Sequence, residues 1–324
     1  MTRWDATDIP DQSGRTVVVT GANSGLGLRS AEALARAGAG VVMACRSAER
    51  AAPARDRVAA GATGPDPTVV ALDLADLASV RAAAASIAAR AGHVDVLMNN
   101  AGIMAVPRAA TADGFELQFG TNHLGHFALT GLLLPALLAA PAPRVVTTSS
   151  SAHRAGRAAW DDARFDRRRY RRWAAYGRSK LANLQFTGEL ARRAAAAGTA
   201  LTAVAAHPGY ARTHLGAGWH GAERAGAGPL QRLRAAAMVI GDRVLAQSDA
   251  AGALPQLYAA TMDDVAAGDY FGPGGPFEMR GVPTRVTMSA AARDTESAAR
   301  LWALSEELTG VTYDWPQVPA AGRR

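Results

Sequence analysis

The chain has 324 residues, of which 49% are hydrophobic and 19% are charged, so it can bury a sizeable core, and this argues against wholesale disorder. Its 35 basic and 28 acidic residues give a formal net charge of +7, which favours anionic partners without choosing among nucleic acid, membrane and phosphorylated small molecules. The single cysteine, Cys45, excludes an intrachain disulfide and a cysteine-cluster metal site, and it favours a reducing, cytoplasmic compartment.

The N-terminal and apolar segments give no sign of targeting to a membrane. Residues 1–15 carry scattered charges and lack the apolar core of a signal peptide. The longest apolar stretch, 127–142, is interrupted by Gly131, Pro135 and Pro141 and is shorter than the roughly 20 residues that cross a bilayer. We therefore expect a buried helix there and no membrane partner.

Strand and helix patterns alternate through the first two thirds of the chain. Helical patterns long enough for parallel crossovers lie at 26–37, about 76–90, 113–139 and 174–197. This alternation predicts an α/β fold, a doubly wound Rossmann-type domain with a mostly parallel sheet and helices on both faces. Short β-branched or apolar runs predict its six strands, at 16–20, 41–44, 68–72, 94–98, 145–148 and 201–205.

The alternation ends after Pro208. An irregular glycine-rich section is followed by helical patterns, a turn-rich GDYFGPGGP at 268–276 and a last helix at about 290–308. No linker separates two cores, so we expect one domain over 1–324. An insertion at about 209–246 is predicted to cover the substrate.

The turn between the first strand and the first helix, TGANSGLG at 20–27, is rich in glycine. Glycines at this place let the backbone approach a pyrophosphate at the helix N-terminus, so a dinucleotide is the natural ligand. The spacing differs from the commoner G-x-G-x-x-G, and an ordinary loop is the alternative interpretation. The residues predicted to contact the dinucleotide here are Gly21, Asn23, Ser24, Gly25, Leu26 and Gly27.

The end of the second strand indicates which dinucleotide is bound. NAD-binding folds usually have an acidic residue here that binds the ribose hydroxyls, whereas this chain has Ala-Cys-Arg-Ser at 44–47. A carboxylate repels a 2′-phosphate, but the guanidinium of Arg46 can bind one through paired hydrogen bonds. NADP(H) is therefore favoured over NAD(H), with a solvated surface charge as the alternative for Arg46.

A tyrosine and a lysine stand four residues apart on the predicted helix at 174–197. Tyr176 and Lys180 therefore share one face. A nearby ammonium stabilises a phenolate, so we expect Lys180 to lower the pKa of Tyr176 from its ordinary value near 10. The pair alone is weak evidence, because this spacing occurs by chance in many helices.

Polar residues close the fourth and fifth strands at the sheet edge where open α/β folds bind ligands. Ser149, Ser150 and Ser151 follow the fifth strand, and a hydroxyl there can donate to a substrate carbonyl. Asn-Asn-Ala-Gly at 99–102 ends the fourth strand similarly. Asn122 lies within a predicted helix, where asparagine is unfavourable, so we expect its side chain to have a specific role.

These motifs, in this order, resemble the short-chain dehydrogenase/reductase family from Arg15 to about Pro316. The branch that they most resemble is the retinol-dehydrogenase-like and protochlorophyllide-reductase-like one. The similarity is carried by ACRS at 44–47, TNHLGHF at 121–127, YGRSKLANLQF at 176–186 and HPGYARTHL at 207–215.

The resemblance implies a catalytic tetrad of Asn122, Ser150, Tyr176 and Lys180. Tyr176 would donate the proton in carbonyl reduction and accept it in alcohol oxidation, while Ser150 would hold the substrate oxygen. Lys180 would hold the nicotinamide ribose and tune Tyr176, and Asn122 would anchor a water that relays protons. Ser149 or Ser151 could take the place of Ser150 if the register differs.

The resemblance also implies further contacts with the cofactor. Asp73 and Leu74 would flank the adenine, and the segment with Pro208, Gly209 and Thr213 would close over the carboxamide. The other residues implied to bind the cofactor are Asn100, Ala101, Gly102, Tyr176 and Lys180.

The sequence thus predicts an NADP(H)-dependent oxidoreductase that interconverts a hydrophobic alcohol and its aldehyde or ketone by hydride transfer. A C=C reductase that uses NADPH and a regulatory protein that senses NADPH without turnover are the alternatives. No metal is required, and seven histidines without partner ligands give no site for one. The arginine-rich 164–172 would suit a nucleic acid, but we interpret it as a solvated loop and expect no such partner. The family often pairs through the helices after strands four and five, so a homodimer is an open expectation.

Overall fold

A mostly parallel sheet runs through the centre of the protein. The computed structural model describes residues 4–210 and 247–316. The strands there are β1 (Thr16–Thr20), β2 (Gly40–Cys45), β3 (Thr68–Ala71), β4 (Val96–Asn99), β5 (Arg144–Thr148), β6 (Thr202–Ala206), β7 (Tyr270–Pro273) and β8 (Pro283–Arg285). They form one sheet in the order β3-β2-β1-β4-β5-β6-β7-β8, in which only β8 is antiparallel to its neighbour. This confirms the predicted α/β fold, and the six predicted strands agree with β1 to β6 within two residues at each end.

Helices cover both faces of the sheet. The valines of β1 alternate, with Val17 and Val19 in the core on one face and Val18 in the core on the other, so a run of apolar residues suits a strand buried on both sides. The helices are α1 (Gly25–Arg36), α2 (Ala48–Ala59), α3 (Leu77–Ala91), α4 (Leu117–Phe119), α5 (Gly125–Leu132), α6 (Leu134–Leu138), α7 (Arg172–Ala196), α8 (Asp249–Thr261) and α9 (Thr295–Thr309). Of these, α1, α2 and α8 contribute to the core with Val17, and α3, α5, α7 and α9 to the core with Val18.

The strand order creates a crevice at the carboxyl edge. From β1 the chain moves outward through β2 to β3, then returns to place β4 on the opposite side of β1. The loops after β1 and β4 therefore leave the sheet in opposite directions, and open α/β folds bind ligands at such a point.

The predicted helix over 113–139 is wrong as one element, and so is the single buried helix at 127–142. The structure has α4, a π-helical turn at Gly120–Leu124, α5 and α6 in its place. The helix α5 ends at Leu132, Leu133 has φ −90° and ψ −1°, and α6 begins with Pro135 in its first turn, where a missing N–H costs no hydrogen bond. Gly120–Leu124 contains Asn122, and π-helical turns are frequent at functional sites.

Two other predictions of local structure need correction, and one helix was missed. The turn-rich 268–276 contains β7, whose Gly272 is required because a Cβ there would lie 2.0 Å from the ring of His207. The helix α2 was not predicted; its buried face is formed by small residues, and it contains Pro53. The last helix is split into a 3-10 turn at Ala290–Arg293 and α9.

The predicted insertion at about 209–246 falls almost wholly outside the described residues, as does Thr213. Within 4–210 and 247–316, no helix combines the length and the hydropathy needed to span a bilayer. One domain over 1–324 stays a prediction.

Candidate functional site

The turn after β1 presents backbone groups to the crevice. Gly21 and Gly25 have φ of +68° and +53°, the left-handed region that glycine adopts without strain. A Cβ on Gly27 would lie 2.4 Å from the carbonyl oxygen of Gly21, so the first turn of α1 packs directly against the loop. Ser24 precedes α1 with an extended backbone, and its side chain makes no capping hydrogen bond. The first N–H groups of α1 are therefore available to an anion.

A cleft of about 320 Å³ extends from this turn along the carboxyl edge of the sheet. Its walls come from the loops after β1, β2, β3 and β4, which suits an extended dinucleotide. Twelve of the residues predicted to bind cofactor line it, namely Gly21, Asn23, Ser24, Gly25, Leu26, Gly27, Arg46, Asp73, Leu74, Asn100, Ala101 and Gly102. Tyr176, Lys180, Pro208 and Gly209 do not line this cleft, and Lys180 Nζ lies 3.5 Å from the position of a Cβ on Gly102, beside one wall.

The cleft also has lining residues that the sequence analysis missed. Arg50 lines the same end of the cleft as Arg46, and its backbone N–H donates a 3.3 Å hydrogen bond to the hydroxyl of Ser47, which caps α2. The signal was present in the sequence as a serine three residues before an arginine at a helix start. The remaining missed residues are Ala44, Leu72, Ile103, Val106 and Thr121.

The loop after β4 is fixed to the end of β1. The side-chain amide of Asn100 donates to the backbone oxygen of Thr20 at 2.7 Å. The hydroxyl of Thr20 accepts from the backbone N–H groups of Asn100 and Ala101 at 3.0 and 2.9 Å. These bonds hold the two walls of the cleft together.

Lys180 is buried at the end of β5, with 4% of its surface exposed. Its ammonium donates to the backbone oxygen of Thr148 at 2.9 Å, and burial lowers its pKa from 10.5 to about 8. Lys180 is also the only lysine in the sequence, since all other basic residues among the 35 are arginine. Arginine could not replace it equivalently, because a guanidinium is larger and stays charged, whereas the compact ammonium of lysine shifts its pKa readily on burial.

The expected lowering of the pKa of Tyr176 by Lys180 is wrong for this structure. Burial raises the pKa of Tyr176 to about 12, and a hydrogen bond with the hydroxyl of Ser150 offsets only part of that rise. The physical reason is the direction of the lysine side chain. Its Nζ lies 5.9 Å from the centre of the Tyr176 ring and is bound to Thr148. Tyr176 is therefore protonated at neutral pH.

The three serines after β5 have different surroundings. Ser149 is buried and donates to the backbone oxygen of Lys180 at 2.9 Å. Ser150 is the serine that contacts Tyr176, and its hydroxyl also accepts from the backbone N–H of Ala152 at 3.2 Å. Ser151 is exposed. Among the three, the geometry favours Ser150 as the partner of Tyr176.

Asn122 joins the loop after β4 to α7. Its side chain accepts from the N–H of Ile103 at 2.8 Å and donates to the oxygen of Ile103 and to Ser179 Oγ, both at 2.9 Å. Its backbone oxygen contacts His126 Nδ1 at 3.1 Å. These contacts are the reason for an asparagine within a helical segment.

Pro208 and Gly209 follow β6, which lies next to β5 in the sheet. Gly209 has φ of +65°, and a Cβ there would lie 2.5 Å from the backbone oxygen of Met279. Its N–H donates to His207 Nδ1 at 3.2 Å, while His207 Nε2 lies 3.1 Å from Glu278 Oε2. Burial lowers the pKa of His207 to about 4, so this histidine is neutral and holds the segment in place.

The segment between Ser150 and Tyr176 is anchored by a buried arginine that the sequence analysis did not single out. Arg178 donates to the backbone oxygens of Asp162 and Ala163 at 2.7 and 2.6 Å, and its guanidinium lies 3.8 Å from the centre of the Phe165 ring. By contrast, Arg167 and Arg168 are exposed and pair with Asp161.

Comparison with known proteins agrees with this architecture. The family model described as short chain dehydrogenase matches residues 15–223. The chain is 40% identical over 304 residues to human retinol dehydrogenase 13, which covers 92% of this chain and 85% of that protein. It is also 40% identical to mouse retinol dehydrogenase 14, with 92% and 86% covered.

Solved structures give the same result. A protein of unassigned function from Mycobacterium paratuberculosis is 45% identical, with a TM-score of 0.78 and 98% of this chain and 100% of that chain covered. Another solved structure is that of a protein from Beutenbergia cavernae, described as an NAD(P)-dependent gluconate 5-dehydrogenase with NADP bound at low occupancy. It is 30% identical to this chain with a TM-score of 0.57, and the match covers 77% of this chain and 90% of that one. The chain is therefore an oxidoreductase that uses a nicotinamide dinucleotide, and it belongs to the short-chain dehydrogenase/reductase family, among its retinol-dehydrogenase-like members.

Proposed function

We propose that the protein interconverts a hydrophobic alcohol and its aldehyde or ketone with NADP(H), using Tyr176 as acid and base. The observation that carries this proposal is the convergence of Ser150, Tyr176 and Lys180 at the carboxyl edge of the sheet, beside a cleft suited to a dinucleotide. Asn122 completes the proposed tetrad, because it ties the loop after β4 to the helix that carries Tyr176.

The protonation of these residues favours carbonyl reduction at neutral pH. Tyr176, with a pKa of about 12, holds a proton that it can donate to a carbonyl oxygen. The hydroxyl of Ser150 contacts the same phenol and can donate a second hydrogen bond to that oxygen. When bound, the nicotinamide supplies the hydride in this direction and accepts it in the other.

Positive charge at one end of the cleft favours NADP(H). Two exposed guanidiniums, those of Arg46 and Arg50, line the end of the cleft next to β2. The ribose of the adenosine lies at this end in doubly wound folds, so a 2′-phosphate there would be neutralised by both. NADP in the Beutenbergia cavernae protein agrees with this assignment.

The exposed Trp173 and the retinol dehydrogenase relatives both favour an apolar substrate. Trp173 is 54% exposed, and its ring centre lies 6.1 Å from that of Tyr176 at an interplanar angle of 82°. An apolar surface next to the proton donor favours a hydrophobic chain or ring. The relatives named as retinol dehydrogenases point to the same class of substrate.

The test is a panel of apolar and polar aldehydes and ketones, with NADPH or NADH consumption followed by absorbance and with product analysis. We expect turnover of apolar carbonyls, a clear preference for NADPH and an alcohol as the product. Absence of turnover across the panel, with NADPH binding retained, would support a sensor instead, and reduction of a C=C bond would support the other enzymatic alternative.

A further inference from the structure

The side-chain amide of Gln256 lies at a buried junction of three elements of the cleft. Gln256 belongs to α8 and is 2% exposed. Its Nε2 donates to Ser30 Oγ on α1 at 2.7 Å and to Asn100 Oδ1 after β4 at 3.1 Å. Its Oε1 accepts from Thr148 Oγ1 at the end of β5 at 2.9 Å. Both N–H groups and the oxygen of the amide are thus bound by different elements.

One arm of this junction leads to the glycine turn. Asn100 uses its oxygen for Gln256 and its nitrogen for the backbone of Thr20. The same nitrogen lies 2.6 Å from the position of a Cβ on Gly27, so it is packed against the first turn of α1. Gln256 therefore fixes the orientation of an amide that holds the proposed pyrophosphate site.

The other arm leads to Lys180. The backbone oxygen of Thr148 accepts from Lys180 Nζ at 2.9 Å and from Asn183 Nδ2 at 3.0 Å. Gln256 holds the side chain of the same threonine. The position of the lysine thus depends on a strand end that Gln256 ties to α8.

We propose that Gln256 is a positioning residue that holds Lys180 in register with the dinucleotide cleft, by joining Thr148 to Asn100 through one amide. This inference rests on the proposed function. Only an amide of this length satisfies all three partners, since it must donate twice and accept once. Leucine would remove the hydrogen bonds of Ser30 Oγ, Thr148 Oγ1 and Asn100 Oδ1 to this amide, and glutamate would place an anion against Asn100 Oδ1.

The first test compares Gln256→Leu with Gln185→Leu as a matched control. Gln185 is also buried and its Nε2 also makes two hydrogen bonds, to the oxygen of Ala291 and to Ser297 Oγ, but it does not line the cleft and these partners lie in the C-terminal segment. We expect both variants to lose similar stability. Gln256→Leu should weaken NADPH binding about 10-fold and lower kcat by a similar factor, because unpaired buried groups shift the cleft. Gln185→Leu should change the affinity for NADPH and kcat by less than about 2-fold.

A titration of Lys180 separates positioning from general damage to the fold. Because the chain has one lysine, protein labelled with ¹³Cε-lysine gives a single lysine signal, which reports Lys180 without any turnover. Gln256→Glu adds a carboxylate on the threonine that Lys180 binds, so we expect the pKa of Lys180 to rise by about one unit. Gln185→Glu should leave it unchanged.

The outcomes distinguish this inference from the proposed function. The inference is overturned if Gln256→Leu and Gln185→Leu have equal effects on NADPH binding and if the lysine signal titrates identically in the two glutamate variants. A wild-type protein that binds NADPH but reduces no carbonyl would refute the proposed function alone, because the binding and titration experiments do not need turnover.

Discussion

Lys180→Met should make the protein more stable while removing its activity. Lys180 is 4% exposed, and burial lowers the pKa of its ammonium from 10.5 to about 8. Each unit of pKa corresponds to about 1.36 kcal/mol, so burying the charge costs the folded state about 3 kcal/mol at neutral pH. Methionine has a similar length and carries no charge.

A lost hydrogen bond and imperfect packing reduce the gain in the free energy of unfolding from this substitution. The hydrogen bond from Lys180 to Thr148 is removed, but the oxygen of Thr148 keeps its bond to Asn183 Nδ2 at 3.0 Å, so no acceptor is left unpaired. Allowing about 1 kcal/mol for this bond and for imperfect packing, we expect Lys180→Met to be about 2 kcal/mol more stable at pH 7.

The pH dependence identifies the cause. Between pH 8 and 10.5, Lys180 is protonated in the unfolded chain and neutral in the folded one, so the unfolded state binds more protons and wild-type stability rises with pH in this window. The variant lacks this contribution, so its advantage should shrink as pH rises from 8 to 10.5. Urea unfolding of both proteins without cofactor at several pH values measures the difference. A variant less stable than wild type, by the same amount at every pH, would refute the reasoning.

Three further substitutions test the rest of the site. Replacing Arg46 and Arg50 by alanine should lower kcat/KM with NADPH about 100-fold, because two charge-assisted hydrogen bonds to phosphate are lost. The value of kcat/KM with NADH should stay nearly unchanged. Equal losses with both cofactors would contradict this expectation. Ser150→Ala should lower kcat about 100-fold with unchanged NADPH affinity, whereas Ser151→Ala, at an exposed position, should behave as wild type in the same assay. Arg178→Met should lower the free energy of unfolding, measured in urea, by about 3 kcal/mol, since the carbonyls of Asp162 and Ala163 lose their donor. A change below about 0.5 kcal/mol would show that this arginine does not anchor the segment.

The fold could be predicted because its signals are local. The TVVVT run of β1 and the glycine turn after it each lie within a few consecutive residues, and the structure places both as expected. The helix predicted over 113–139 failed because apolar periodicity does not reveal a change of helix type, and the π-helical turn at Gly120–Leu124 keeps the same residues buried.

The site was predicted best where a residue type and a strand end coincide. Arg46 and Ser150 were singled out in this way, whereas Lys180 was singled out from its spacing of four residues from Tyr176 on a predicted helix. Gln256 could not be found, because its partners Asn100 and Ser30 are 156 and 226 residues away and only folding brings them together. The pKa of Tyr176 was misjudged for a similar reason, since burial is a property of the packed structure and the ammonium of Lys180 is bound to the backbone of Thr148.

The most direct measurement is carbonyl reduction by Tyr176→Phe, with NADPH binding followed by fluorescence in the same preparation. The substitution removes one hydroxyl from a buried ring and leaves the cleft residues in place. We expect binding within about 2-fold of wild type and a fall in kcat of at least about 1,000-fold, since the substitution removes the proposed proton donor. A variant that binds NADPH and reduces the carbonyl at the wild-type rate would contradict the account.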